Sequence, residues 1–180
     1  PFHLGFRNTG LKLVAYIGES TTIMNMGLYG YHRSTTPRLS ALQSTDENFL
    51  VFKKVFSTHT HTSPSLLEAL SVPVTRDDEL KPIYSRKRVS LIDILRANDA
   101  LSFLYSNQGQ TGSSNMARSI IFNKAPSDHS AKSALVGNLH RDVARPFDHE
   151  YFESVLDRGL SNFQRNSSAA VFLHSYAGHG

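Results

Sequence analysis

At 180 residues with no cysteine, the chain has the size of one domain, and neither a disulfide framework nor a thiolate metal site is open to it. Its formal charge of +4 and pI near 9.4 are a mild basic bias, compatible with RNA, an acidic protein or an anionic membrane surface, and select none of them. Only 39% of the residues are apolar, so one modest core is expected, with long loops or arms that take their order from a partner. The longest apolar runs, Leu13–Ile17 and Ala169–Leu173, fall far short of the ~20 residues of a membrane helix, so no membrane span is expected. No secretory signal pattern is visible, and the start at Pro1 is that of a processed or partial product.

Residues 1–43 are rich in Gly, Thr and aromatics and are expected to form an extended N-terminal arm with at most a single hairpin. Within it, Leu11–Ile17 has the β-branched and aromatic character of one strand, punctuated by Gly10 and Gly18. The run GLYGYHR (27–33) reads first as aromatics pinning the arm to a protein surface, with stacking on RNA as the alternative.

Residues 44–180 are expected to form a helical body. Ser44–Ser57 is predicted helical from the capping-box spacing of Ser44 and Glu47 and the stripe Phe49, Phe52, Val55 and Phe56. A short helix over Ser63–Leu70 follows, with Ser63 as its cap, Pro64 in its first turn and Pro73 beyond its end. The polar connector 73–88 ends in the basic cluster Arg86, Lys87 and Arg88, the candidate nucleic-acid contact. Ser90–Tyr105 is predicted as a long helix striped by Leu91, Ile94, Leu95, Leu101 and Tyr105, with Asp93 and Arg96 pairing on its outer side.

After the loop SNQGQTGSSN, helices are predicted over Asn115–Asn123 and Ser127–Val143. Phe147–Phe163 is the clearest helix of all: Asp148 as N-cap, Phe147 and Phe152 as a hydrophobic staple, and Phe152, Val155, Leu156, Leu160 and Phe163 as its apolar face. Ser167–Ala177 is expected to close the chain as a helix, with a buried strand over AAVFLHSY as the alternative. The units 90–123 and 127–163 start 37 residues apart, close to the period of two-helix solenoid repeats. The fold expected is therefore mainly α, tandem helical hairpins behind an extended arm.

Among nine histidines the sharpest pair is His59 and His61, two imidazoles at i and i+2 on an extended segment, which point the same way. The run THTHTSPSLLEAL resembles the first metal-binding motif of the polymerase-and-histidinol-phosphatase type of metal-dependent phosphoesterase, in which an H-x-H pair leaves a strand and enters a helix. That resemblance implies that His59 and His61 are ligands and that a bound metal activates water for phosphoester hydrolysis. Asp148, His149 and Glu150, with His140 and Asp142, form a second titratable group that reads first as helix capping. The loop Gly109–Ser114 lacks the Gly-Lys-Ser/Thr ending of a phosphate-binding loop.

With no catalytic and no cofactor-binding constellation, the reading is a non-catalytic accessory subunit of a larger assembly, without a cofactor and acting through contacts with other protein subunits. The basic charge, absent cysteine and non-Met start point to mitochondria. Two alternatives stand beside it. An RNA-binding helical-repeat or ribosomal protein would bring Arg86, Lys87, Arg88, Arg118, Lys124 and Lys132 to one surface. A metal-dependent phosphoesterase would use His59 and His61.

Overall fold

The computed structural model describes residues 10–107, 121, 127–128, 147–165 and 168–176. It divides into two compact units, residues 1–19 with 58–180, and residues 20–57. The larger unit is an α/β structure, not a stack of helical hairpins. Among its described residues a four-stranded parallel sheet runs in the order β1 (Lys12–Ile17), β6 (Ala169–His174), β4 (Leu101–Ser106), β5 (Ser127–Asp128). A two-stranded antiparallel ribbon pairs β2 (Ser71–Pro73) with β3 (Arg88–Ser90). The helices fully within the unit's described residues are α2 (Thr62–Leu70), α3 (Arg76–Glu79), α4 (Leu91–Ala97) and α5 (Asp148–Arg165).

The sheet is covered on both faces, and the alternation of side chains explains how. Leu104 of β4 and Ala170 and Phe172 of β6 join Leu67 of α2 and Ile92 and Leu95 of α4 in one core cluster. The residues between them, Phe103, Tyr105, Ala169 and Val171, point the other way and pack with Tyr151 and Phe152 of α5. Leu13, Ala15 and Ile17 of β1 complete the first cluster, while Val14 and Tyr16 stand 57% and 61% exposed on the second face. The ring of Tyr16 meets Phe152 edge-on at 6.0 Å.

The expected mainly α fold fails chiefly at residue 98. Helix α4 begins as predicted, with a complete capping box between Ser90 and Asp93 and an Arg96–Asp93 ion pair at 3.2 Å. It stops at Ala97 because Asn98 and Asp99 turn the chain, Asp99 with a φ of 57°. Leu101–Ser106 is then a central strand. A strand buried on both faces carries no period of two, and its leucines and Tyr105 imitate a helical stripe. The last predicted helix is strand β6, so the alternative reading of AAVFLHSY holds and Leu11–Ile17 is its sheet neighbour rather than part of an arm.

Two further helices shift. Residues 46–57 are irregular, and the helix of the smaller unit is α1 (Pro37–Thr45), seven residues earlier than Ser44 suggested. Helix α5 runs as expected, but Phe147 precedes its first residue and Asp148 is inside it. Glu150 reaches back, its carboxylate accepting from the Phe147 N–H at 3.0 Å, the reciprocal half of a capping box. Phe147 is 72% exposed and stacks on His149, so the predicted staple to Phe152 is absent. The predicted helix Asn115–Asn123 lies outside the described residues apart from Ile121. Of Ser127–Val143 only Ser127 and Asp128 are described, and they form β5.

In the smaller unit, Thr35 and Thr36 hold the aromatic run in place, their hydroxyls accepting from the N–H groups of Gly27 and Leu28 at 2.9 and 2.8 Å. A Cβ on Gly27 would lie 3.0 Å from the Arg33 carbonyl, and Gly30 has a φ of 94°. Both positions therefore favour glycine for stated reasons.

Candidate active site at the carboxyl end of the sheet

Strands β1, β6 and β4 end level with one another, Ile17 opposite His174 and His174 opposite Ser106. In an open parallel sheet the carboxyl ends of the strands are where ligands bind. Polar groups gather at this edge. Asn107, directly after β4, donates through Nδ2 to Asp148 Oδ1 at 2.8 Å. The same carboxylate accepts from the Tyr176 N–H at 2.9 and 3.0 Å. Ser106 Oγ and His174 Nδ1 lie 3.0 Å apart in the buried layer beneath. Asp148 thus ties the ends of β4 and β6 to the start of α5, a positioning task in place of the predicted cap.

The pair with chemical potential follows β1. Glu19 is two residues beyond the strand and only 7% exposed. Its carboxylate accepts from the Thr62 hydroxyl, with Oγ1 at 2.9 Å from Oε1 and 3.0 Å from Oε2. Thr62 is the first residue of α2 and half-buried. The segment before it is extended, His61 having a φ of −114° and a ψ of 145°, and the first helical hydrogen bond runs from Ser65 N–H to the His61 carbonyl at 3.2 Å. The hydroxyl therefore sits at the positive end of a nine-residue helix, beside backbone donors of Thr62 and Ser63 that no intrahelical bond uses. An alcohol within hydrogen-bond reach of a carboxylate, at a helix terminus that favours anions, is the arrangement of an activated nucleophile for a phosphoryl group.

His59 and His61 precede this residue on the exposed segment leading into α2. The Nδ1 of His61 lies 3.1 Å from Thr60 Oγ1, and the His59 carbonyl accepts from Ser65 Oγ at 2.9 Å. No strand precedes them, as the polymerase-and-histidinol-phosphatase motif would require. The basic cluster is divided. Arg86 and Arg88 turn inward onto Glu68 at 2.8 and 2.9 Å, while Lys87 is exposed. Arg118, Lys124, Lys132, His140, Asp142 and the loop Gly109–Ser114 lie outside the described residues. The Glu19–Thr62 pair is not among the candidates that the sequence suggests. Its only traces in the sequence are an acid directly after a strand and a threonine opening a helix.

A hydroxyl on a buried carboxylate at this edge of a parallel sheet is suited to chemistry on phosphate or sulfate esters, and comparison with known proteins gives the family. The chain belongs to the sulfatase family, whose model matches residues 13–180. It is 36% identical over 136 residues to phosphoethanolamine transferase CptA of Salmonella typhimurium, covering 76% of this chain and 22% of that protein. To phosphoethanolamine transferase EptC of Escherichia coli it is 37% identical over 101 residues, covering 56% and 17%. Among solved structures, the C-terminal periplasmic domain of Escherichia coli EptC in complex with Zn shares the fold, with a TM-score of 0.75 at 24% identity over 96% of this chain and 45% of that one. The soluble domain of lipooligosaccharide phosphoethanolamine transferase A from Neisseria meningitidis gives a TM-score of 0.64 at 26% identity, over 96% and 47%. The chain thus spans about a fifth of the curated relatives and under half of these solved domains.

These findings overturn the reading of a non-catalytic mitochondrial accessory subunit that works through other protein subunits, together with its RNA-binding and polymerase-and-histidinol-phosphatase alternatives. The relatives are bacterial transferases, hence enzymes, and the solved structures include periplasmic domains. Spaced motifs do not reveal Glu19 and Thr62, which lie on separate elements and are brought together only by the fold. No described helix is long and apolar enough to cross a membrane.

Proposed function

We propose that this chain carries the nucleophile of a periplasmic phosphoethanolamine transferase, with Thr62 as nucleophile and Glu19 as its base. The single observation behind the reading is the Thr62 hydroxyl held at 2.9 and 3.0 Å on a buried carboxylate. In the first half-reaction Thr62 Oγ1 attacks the phosphorus of an ethanolamine phosphodiester and its proton passes to Glu19. The ester bond to the donor breaks, the departing oxygen takes up a proton while Glu19 gives its own back to solvent, and the alcohol leaves with phosphoethanolamine on Thr62. In the second, an acceptor group attacks the phosphorus and loses its proton to Glu19, the Thr62 Oγ1–P bond breaks, and Thr62 recovers its hydroxyl by taking that proton from Glu19. The backbone donors at the start of α2 would stabilise the equatorial oxygens of the transferring group. The name of the Neisseria meningitidis relative gives its acceptor as lipooligosaccharide, and an envelope glycolipid is the acceptor class we assign.

Zinc accompanies the Escherichia coli EptC domain. Glu19 and Thr62 offer two oxygen donors, whereas a catalytic zinc takes three protein ligands. Among the described residues no group of three or more His, Cys, Asp or Glu is placed to hold a metal. Both oxygens are nonetheless of a kind that zinc accepts, so Glu19 and Thr62 would contribute to holding such an ion, which would supply electrostatic stabilisation of the Thr62 oxygen and the phosphoryl group.

The test is phosphoethanolamine transfer by the full-length protein carrying Thr62→Ala or Thr62→Ser. Alanine should abolish turnover, and serine, which keeps a hydroxyl at the same place, should retain part of it. Full activity of Thr62→Ala would remove the reading.

A further inference from the structure

We propose that Arg88 is a positioning residue for Thr62, acting through the far end of helix α2; this rests on the reading of Thr62 as the nucleophile. Helix α2 is nine residues long, so its two ends lie roughly 12 Å apart along the axis. Thr62 occupies one end, and Arg88 grips the other. Its Nη2 donates to the carbonyls of Leu67 and Ser71 at 3.2 and 3.1 Å and to Glu68 Oε2 at 2.9 Å. Its Nε donates to Ser71 Oγ at 2.6 Å, and that hydroxyl donates in turn to the Leu67 carbonyl, also at 2.6 Å. Arg86 fixes the second oxygen of Glu68 at 2.8 Å.

The clamp is closed by the chain itself. Helix α2 runs directly into β2, and β2 pairs with the strand that carries Arg88, Pro73 opposite Arg88. Leu67, with no exposed surface, seats the middle of the helix in the core. A helix gripped at its C-terminal carbonyls and seated along one side has no freedom to slide or rotate. Its first residue is then fixed against the carboxylate of Glu19, just beyond β1.

The clamp is a poor device for stability alone. The Arg88 side chain is 3% exposed, and its Nη1 is buried without a hydrogen-bond partner. Burying a guanidinium with a donor unsatisfied is costly, and apolar side chains of similar size commonly replace such pairs with no loss of stability. What they do not reproduce is a fork of donors that sets the helix in register.

The experiment compares full-length wild type, Arg88→Lys, the double variant Glu68→Met/Arg88→Met and the control Thr62→Ala. Misplacing a reactive group by a fraction of an ångström costs turnover rather than binding, so Arg88→Lys should lower kcat about tenfold with KM within about twofold. The double variant should melt at the wild-type temperature while its kcat stays depressed to the same degree. Wild-type kcat in Arg88→Lys, or kcat returning with thermal stability in the double variant, would overturn the clamp. Full activity in Thr62→Ala would overturn the nucleophile instead, so the two failures are distinguishable.

Discussion

Strands β1 and β6 lie side by side and in register, from Lys12 opposite Ala169 to Ile17 opposite His174, yet they have opposite characters. Strand β1 alternates exposed and half-buried residues along its whole length, whereas five of the six residues of β6 are buried. The difference follows from position. A strand with a neighbour on one side and a partly open face keeps a period of two, and one between two neighbours and two helical layers keeps none. The ends differ as well. Beyond β6 the backbone is tied down, Ser175 N–H donating to the Ile17 carbonyl at 3.0 Å and Tyr176 N–H to Asp148. Beyond β1 the chain reaches Glu19, whose carboxylate meets the hydroxyl of Thr62. Stability is concentrated in the centre of the sheet and reactivity at its rim.

Substitutions on the two strands should divide the same way. The largest effect is expected at the rim: Glu19→Gln should lower kcat for phosphoethanolamine transfer by about 10²–10⁴-fold, the range for loss of a general base, with little change in melting temperature. A fall in stability with unchanged turnover would reverse the assignment. Next comes the centre. Phe172, 1% exposed, should cost about 3–5 kcal/mol when replaced by alanine, measured by denaturant unfolding.

A smaller effect should appear away from both strands. A hydrogen bond from Lys81, reinforced by one from the Thr75 hydroxyl, holds the Asp78 carboxyl below its usual 3.8. Because its folded pKa is the lower one, Asp78 stabilises the protein above the unfolded pKa, and that contribution disappears as pH falls through the folded pKa. Asp78→Asn should therefore flatten the acid side of the stability profile and leave its neutral to alkaline shape unchanged. An unaltered acid limb would contradict the ion pair. The smallest effect is expected on the open face of β1, where Val14→Thr should stay within about 0.5 kcal/mol of wild type.

The same contrast explains what could be read in the sequence. Strand β1, the start of α4 and the long run of α5 each carry a local signature of composition, cap or period, and each is legible in the sequence. Residues 101–106 and 169–174 carry none, because burial on both faces erases the alternation that marks a strand. Leu101 and Tyr105, spaced like a helical stripe, extended α4 through the turn at Asp99. The site was hidden for a different reason. In THTHTSPS the two histidines point to a metal, while the proposed nucleophile is the threonine after them. Its partner, Glu19, lies 43 positions earlier on another element, and no spacing rule connects them. An acid that ends a strand and a hydroxyl that opens a helix become a pair only after the sheet has formed.

The central claim is tested most directly by mass spectrometry of the full-length protein after brief exposure to ethanolamine phospholipid vesicles without acceptor. The account predicts one phosphoethanolamine group on the peptide containing Thr62, located on Thr62 by fragmentation and lost when acceptor is added. Transfer that proceeds with Thr62 unmodified, or with the group carried by another residue, would contradict it.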